Sequence, residues 1–455
     1  MSQPGNILLL ACYELGHQPL SLAWPAAVLR QAGFEVTAVD LAVDPLPQEA
    51  AAQARFVGVA VPMHTALRLG VRAAETMRAL NPTAHLCFFG LYAWLNADYL
   101  LAGVADSVIA GESEAALAEW AAQVLATGAL ASPPAGVSTR ERRGQPELTR
   151  LALPTPDRRG LPDLSRYARY LADGRYHLAG YVEASRGCLH TCRHCPITPV
   201  YSGRFFVVPA ESVLADVRQQ VAAGAEHITF GDPDFLNGPG HVLKIARALH
   251  AEFPHLTFDF TTKVEHILQH RALMPELRAL GAAFVVSAFE SVSDDVLRQL
   301  HKGHTRAGMD EALDVLNAAG LPVQPTWLPF TPWTSLDDYL DLLAWIRARD
   351  LIAHVPAVQL SIRLLVPPGS ALLDDAGWLG PLDAANFTYT WRHPDPCMDE
   401  LQRRVAAVAE RIPEPYEAFA AIERLAYGLA GRRAPAPLAA SLKPTPPRLT
   451  EDWFC

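Results

Sequence analysis

The chain has 455 residues, half of them hydrophobic, enough for roughly three domains and too apolar for a disordered polypeptide. Its 38 basic and 48 acidic side chains give a formal charge of −10 with no basic run, which weighs against a nucleic-acid binder. No apolar run approaches the ~18 residues that cross a bilayer, the amino terminus lacks the basic region and cleavage site of a signal peptide, and the seven cysteines form one tight cluster and four scattered residues, a usage that suits a reducing cytoplasm.

Residues 1–127 alternate short apolar runs with helical patterns. NILLLAC (6–12), FEVTAVD (34–40), RFVGVAV (55–61), AHLCFFG (84–90) and DSVIA (106–110) read as buried strands. Five such βα units predict a doubly wound, Rossmann-like parallel sheet. Its ligand loops are 12–19, 62–66, 90–94 and 110–114, beyond the carboxyl ends of the strands. Residues 128–177 are rich in Pro, Arg and Gly and read as a connector that wraps the domains. From 178 to 375 the alternation resumes, with strands expected at 180–185, 227–231, 257–262, 283–288, 322–328 and 357–363. Six units predict an open, partial (βα)6 barrel with its active residues at the strand carboxyl ends. Residues 376–431 read as a small, mostly helical region, and 432–455 as a Pro-rich tail.

The stretch SRGCLHTCRHCPITP places Cys188, Cys192 and Cys195 within eight positions, directly after the first barrel strand. Three readings stay open on spacing. Structural zinc wants four ligands, the fourth being His190 or His194. An iron–sulfur electron carrier wants a fourth cysteine, which is not nearby. A 4Fe–4S cluster with three thiolates leaves one iron open to a substrate or cofactor.

C188-LHT-C192-RH-C195 resembles the CxxxCxxC signature of the radical S-adenosylmethionine (SAM) superfamily. The resemblance implies that the open iron binds the SAM amine and carboxylate, and that the reduced cluster cleaves SAM to a 5′-deoxyadenosyl radical. It implies His194, before the last cysteine, as an adenine contact where relatives carry an aromatic. FGDPDF (230–235) is similar to the turn that holds the SAM amine, implicating Gly231 and Asp232 or Asp234. TTKVEHI supplies Lys263 for the SAM carboxylate or Glu265 for a ribose. VVSAFESVSDDVLRQLHKGHT supplies Ser287, Glu290 and Lys302. Trp327, Pro329 and Pro367 are either pocket lining or core. Cys12, Cys87 and Cys397 are core or surface thiols.

A doubly wound domain ahead of such a barrel is similar to the cobalamin-binding type of the superfamily, and GESEAAL (111–117) to one of its loops. The resemblance implies cobalamin, and with it methyl transfer or a radical rearrangement. The Asp-x-His-x-x-Gly cobalt motif is missing; His17 and His64 are the nearby imidazoles. The implied partners are an unknown substrate and a reducing protein such as flavodoxin or ferredoxin. The rival reading is a metal-cluster binding or redox protein without SAM turnover.

The chain from residue 186 onward also resembles a radical SAM group named for a Cys-Cys-Ala-Glu-Pro or Cys-selenocysteine-Ala-Glu-Pro tail. The sequence given stops at Cys455, where the second tail residue would come. That implies a UGA codon read as stop, and a selenoprotein four residues longer with a redox-active tail.

Overall fold

The computed structural model describes residues 6–127, 132–149, 152–438 and 445–451. The first sheet is built from β1 (Ile7–Ala11), β2 (Val36–Asp40), β3 (Phe56–Ala60), β4 (His85–Phe89), β5 (Ser107–Ile109) and β6 (Val137–Ser138), in the order β2-β1-β3-β4-β5-β6. The first five are parallel, and β6 runs antiparallel along β5. Parallel strands covered on both faces read as unbroken apolar runs, and ILLLA in β1 is buried at all five positions. Leu8 and Leu10 pack under the helix His64–Leu80, while Ile7 and Leu9 pack under Leu20–Gln31 and Ser113–Thr127.

The expected connector is laced to both halves. It contributes β6, and Glu147 bridges to Gly111. Arg158 donates to Gln18 of the first half at 2.8 Å and to the Tyr181 carbonyl of the second at 2.6 Å, and pairs with buried Asp216 at 2.7 Å.

The second sheet starts earlier than the sequence indicated, at a hairpin of β7 (Arg169–Ala172) and β8 (Arg175–Val182). Asp173 and Gly174 both take positive φ at its turn, as a two-residue hairpin of this hand requires. A short antiparallel pair, β9 (Ser185–Gly187) and β10 (Phe205–Val207), follows. Then come β11 (His227–Phe230), β12 (Thr257–Thr262), β13 (Ala282–Glu290) and β14 (Val323–Trp327), parallel to β8 and to one another. The outward faces, with Ile228, Phe230, Phe258, Phe260, Val285 and Phe289, join the helix layer in the largest core. Inside the curve, Tyr170 stacks on His227 at 3.9 Å, and His227 and Thr229 both bond Asp259.

The sixth barrel strand, expected over 357–363, does not form as such. Ala357–Ser361 is a 3-10 helix, because the Gln359 side chain accepts the Trp327 backbone N–H that a sixth strand would have taken. Only one parallel bridge, Phe330 to Arg363, survives. The region after 376 is also less helical than expected. A hairpin of β15 (Leu379–Asp383) and β16 (Thr388–Trp391) precedes the helices Pro396–Arg411 and Pro415–Leu429. Last, β17 (Arg448–Leu449) pairs with β7, giving the order β14-β13-β12-β11-β8-β7-β17. The tail from 452 to 455, with Cys455, lies outside the described residues. Among the described residues no helix is long and apolar enough to cross a membrane.

The tip of the β15–β16 hairpin plugs the first half. Phe387, at φ +55°, is 3% exposed in the core of Tyr92 and Leu100, edge-on to Tyr99 at 4.9 Å. The Asn386 carbonyl meets His64 Nε2 at 2.7 Å. Truncating a seated phenylalanine removes both its transfer energy and its packing. Phe387→Ala is therefore expected to cost ~3–5 kcal/mol in urea unfolding, and a loss below ~1 kcal/mol would mean that the tip is not seated.

Candidate active site

The cysteine loop is clamped at its base by β9 and β10. Gly187 sits at φ +74°, where an added Cβ would lie 2.5 Å from the Arg204 carbonyl oxygen, so only glycine lets the two strands close. Cys188 N–H donates to that carbonyl at 3.0 Å. Further on, Cys195 N–H and the Thr198 hydroxyl both donate to the Cys192 carbonyl, and Arg193 N–H reaches Leu300. Cys188 and Cys192 are buried. Burial pushes the Cys195 thiol up to about 12, with Cys192 adding to it, and the Cys188 thiol up to about 11. Cysteine sulfurs bind a metal as thiolates, so a cation seated here would have to draw the protons off Cys188 and Cys195 against that burial.

The two imidazoles that could complete a zinc site are engaged elsewhere. His194 Nε2 is 3.4 Å from Glu290, and His190 lies 3.6 Å from Asp234 and 3.5 Å from Glu265. The other described cysteines are remote in the fold: Cys12 and Cys87 are buried in the first half and Cys397 is exposed. Among the described residues the loop therefore offers three cysteine sulfurs and no fourth.

Glu290 ends β13 behind a register shift and stands at φ +64°, a backbone conformation a non-glycine residue keeps only when its surroundings hold it. Lys302 Nζ, itself buried, donates to it at 3.1 Å. Burial alone would raise the Glu290 carboxyl, but Lys302 and His194 hold it far below the usual carboxylate range. Lys302 also carries its charge beside Cys192 and Cys195, a cation placed against two of the three sulfurs.

The FGDPDF turn uses its carboxylates on the protein itself. Asp232 accepts from Ala184 N–H at 2.9 Å and Ser185 Oγ at 2.5 Å; burial raises it to about 6 against those bonds. Asp234 accepts from Leu236 N–H, the Thr262 hydroxyl and Lys263 N–H. Gly231 lies against Tyr181, whose hydroxyl would be 2.1 Å from an added Cβ. Lys263 pairs with Glu265 at 2.5 Å. Ser287 is buried near the end of β13, and its hydroxyl has no partner among the described residues. Trp327 packs between Phe289 and Trp345 in the core.

Sequence reasoning missed the node that joins the halves. The Arg186 guanidinium reaches Glu112 at 3.0 Å, Glu114 at 2.6 Å and Glu183 at 3.3 Å, and lies over the Trp24 ring at 4.4 Å. Tyr201 donates to Glu112. Burial lifts Glu183 to about 8 against the pull of Arg186. Asn237 was also missed; its carbonyl oxygen accepts from Leu189 N–H, and its buried Nδ2 has no partner among the described residues. The only signals were an arginine two places before Cys188 and the paired acids of GESE.

His17 and His64 do not come together. His64 holds the hairpin tip, while His17 stacks on Tyr181 at 4.3 Å and is 4% exposed. Burial lowers His17 from 6.5 to about 3, with His227 adding to it. In the unfolded chain it titrates near its ordinary value. Between about 6.5 and 3 the unfolded state therefore binds the extra proton, and stability falls as pH falls. At pH 5 this term costs about 2 kcal/mol. His17→Phe should remove it, so the loss of melting temperature from pH 8 to pH 5 should be smaller in the variant; equal losses would show that His17 is already charged in the fold.

Residues 182–345 match the model of the Radical SAM superfamily. The tRNA-2-methylthio-N(6)-dimethylallyladenosine synthase of Geobacter sulfurreducens is 26% identical over 196 residues, 38% of this chain and 42% of that protein. The chain spans less than half the length of the curated relatives it matches. Among solved structures, the radical S-adenosylmethionine methyltransferase TsrM of Kitasatospora setae, with cobalamin and a 4Fe–4S cluster bound, is similar at TM-score 0.60 and 16% identity, over 76% of this chain and 73% of that one. The cobalamin-dependent S-adenosylmethionine radical enzyme OxsB, with aqua-cobalamin bound, is similar at TM-score 0.69 and 15% identity, over 94% of this chain and 72% of that one. At these identities the likeness is one of fold.

Proposed function

We propose that the radical SAM catalytic domain carried by this chain holds a 4Fe–4S cluster on Cys188, Cys192 and Cys195 and uses it to cleave SAM reductively, starting radical chemistry on a substrate at the barrel mouth. The observation that carries this reading is a clamped loop of three cysteines with no fourth cysteine beside it among the described residues and with His194 drawn to Glu290. When bound, the cluster supplies one electron to SAM, from a reducing protein such as flavodoxin or ferredoxin. The chain's own residues fix the rest. Lys302 offsets the negative charge of the thiolates, and Glu290 keeps Lys302 charged and in place. Lys263, with Glu265, and the Glu290–Lys302 pair offer both signs of charge to a zwitterionic methionyl group. His194, beside Glu290, is the candidate adenine contact. Asp232 and Asp234 act by shaping the turn around Gly231. Ser287, with a buried hydroxyl that no described residue takes up, stays a candidate SAM contact.

The anaerobic test is direct. Reconstituted with iron and sulfide and given SAM and dithionite, the wild type should release 5′-deoxyadenosine, read by mass spectrometry, and the Cys188/192/195→Ala triple variant should release none. Lys302→Gln should lower the yield about tenfold or more at equal iron content, the loss expected for one charge-assisted contact. Zinc retained in place of iron would overturn the reading.

Cobalamin, and with it methyl transfer or rearrangement, is the finer part of the reading, supported by fold likeness to two enzymes whose structures hold it. The loops that would receive it do not fit a corrinoid as they stand. His17 and His64 are both engaged, and residues 386 and 387 sit at the loops after β3 and β4. Hydroxocobalamin retained after desalting only by a chain with the hairpin tip shortened would make the tip the barrier. Retention by the wild type would show that the tip moves aside, and retention by neither would remove the corrinoid.

A further inference from the structure

A second convergence of ligand-type side chains lies beside the cysteine loop and is made of different atoms. His190, Asp234 and His266 each offer one ligand atom, all within 4.8 Å of one another. Asp234 Oδ2 is 2.9 Å from His266 Nδ1 and 3.6 Å from His190 Nε2. Ligands ~2.1 Å from one tetrahedral ion stand ~3.4 Å apart, which lies between these separations. Both nitrogens are buried, and His266 is only 6% exposed. Two imidazole nitrogens that converge on one carboxylate oxygen make a donor set that one cation can share.

The outer bonds point the same way. The far nitrogen of His190, Nδ1, lies 3.5 Å from Glu265 Oε2. The far oxygen of Asp234, Oδ1, accepts from Thr262 Oγ1 at 2.8 Å and from Leu236 N–H at 3.1 Å. A carboxylate behind a ligand imidazole and hydrogen bonds behind a ligand carboxylate are the arrangement that orients metal ligands. The three residues come from three segments: the cysteine loop, the turn after β11 and the first turn of the helix Val264–Gln269 after β12.

We propose that His190, Asp234 and His266 bind a divalent cation of the zinc class, which ties the cysteine loop to the ends of β11 and β12. Two imidazoles and a carboxylate favour zinc, cobalt or iron over magnesium or calcium. The site stands whether or not the thiols carry an iron–sulfur cluster, because it shares no ligand with them.

Cobalt(II) is the probe. The full chain, with its cluster reconstituted to about four iron atoms, should retain about one cobalt per chain after desalting. Removing the thiols with the Cys188/192/195→Ala variant should leave that cobalt bound, with weak visible bands and no thiolate-to-cobalt charge transfer. His266→Gln should abolish it at unchanged iron content. His190→Gln, on a more exposed side chain, should do the same and serves if His266→Gln does not fold. No retained cobalt in the wild type, cobalt that disappears with the cysteines, or cobalt that survives both histidine substitutions would each overturn the proposal.

Discussion

Most of what positions the candidate site turns on one buried guanidinium. Arg186 stands two residues before Cys188, and its charge is shared by Glu112 and Glu114 from the first sheet's loop and by Glu183 from the end of β8. The Glu112 and Glu114 carboxylates gathered around one cation would repel one another without it, and Glu183, lifted to about 8 by burial, joins them mainly as a neutral carboxyl. Losing one partner of such a buried group costs about 3–5 kcal/mol, because the charges left behind have no water to turn to. The halves are thus held at the point where the cysteine loop begins. Trp24 beneath the guanidinium, and Tyr201 bonded to Glu112, bring the helix after β1 and the segment after the cysteines into the same contact.

A second layer of charge surrounds the loop itself. Carboxylates of Asp234, Glu265 and Glu290 meet the loop imidazoles of His190 and His194 and the ammonium of Lys302. These acids come from the ends of successive strands, which is where a parallel barrel gathers its polar groups. The helix-facing sides of the same strands are phenylalanine and valine, so a rigid apolar layer supports the polar rim.

The five parallel strands of the first half were legible because a strand buried on both faces must be an unbroken apolar run, and ILLLA or FVGVA can hardly be anything else. The three cysteines were legible because their spacing is local. The sixth barrel strand misled because QLSIRLL carries strand composition while Gln359 takes over a backbone partner, which no periodicity reveals. Arg186 and Glu112 are 74 positions apart, and the meeting of His190 with His266 depends on the barrel bringing two strand ends to one loop. Interactions that close over long sequence separations leave no local mark, and this site is made chiefly of them.

The pairing of β17 with β7 bears on how the molecule is born. Arg448 and Leu449 line the edge strand of the hairpin that opens the second sheet, Leu449 packs against the core around Tyr170 and Phe284, and the Pro447 carbonyl accepts from Gln324 on β14, the opposite edge. The same few residues therefore touch the first and last strands of the curved sheet. Glu451 then meets Tyr13 in the loop after β1. On the ribosome, residues 6–438 can assemble their layers, but the gap between β7 and β14 stays unstitched until residue 450 has emerged. The 123 positions between Gln324 and Pro447 take about 6–25 s to make at about 5–20 residues per second, and for that interval the nascent barrel waits with the His227–Asp259 interior open at its seam.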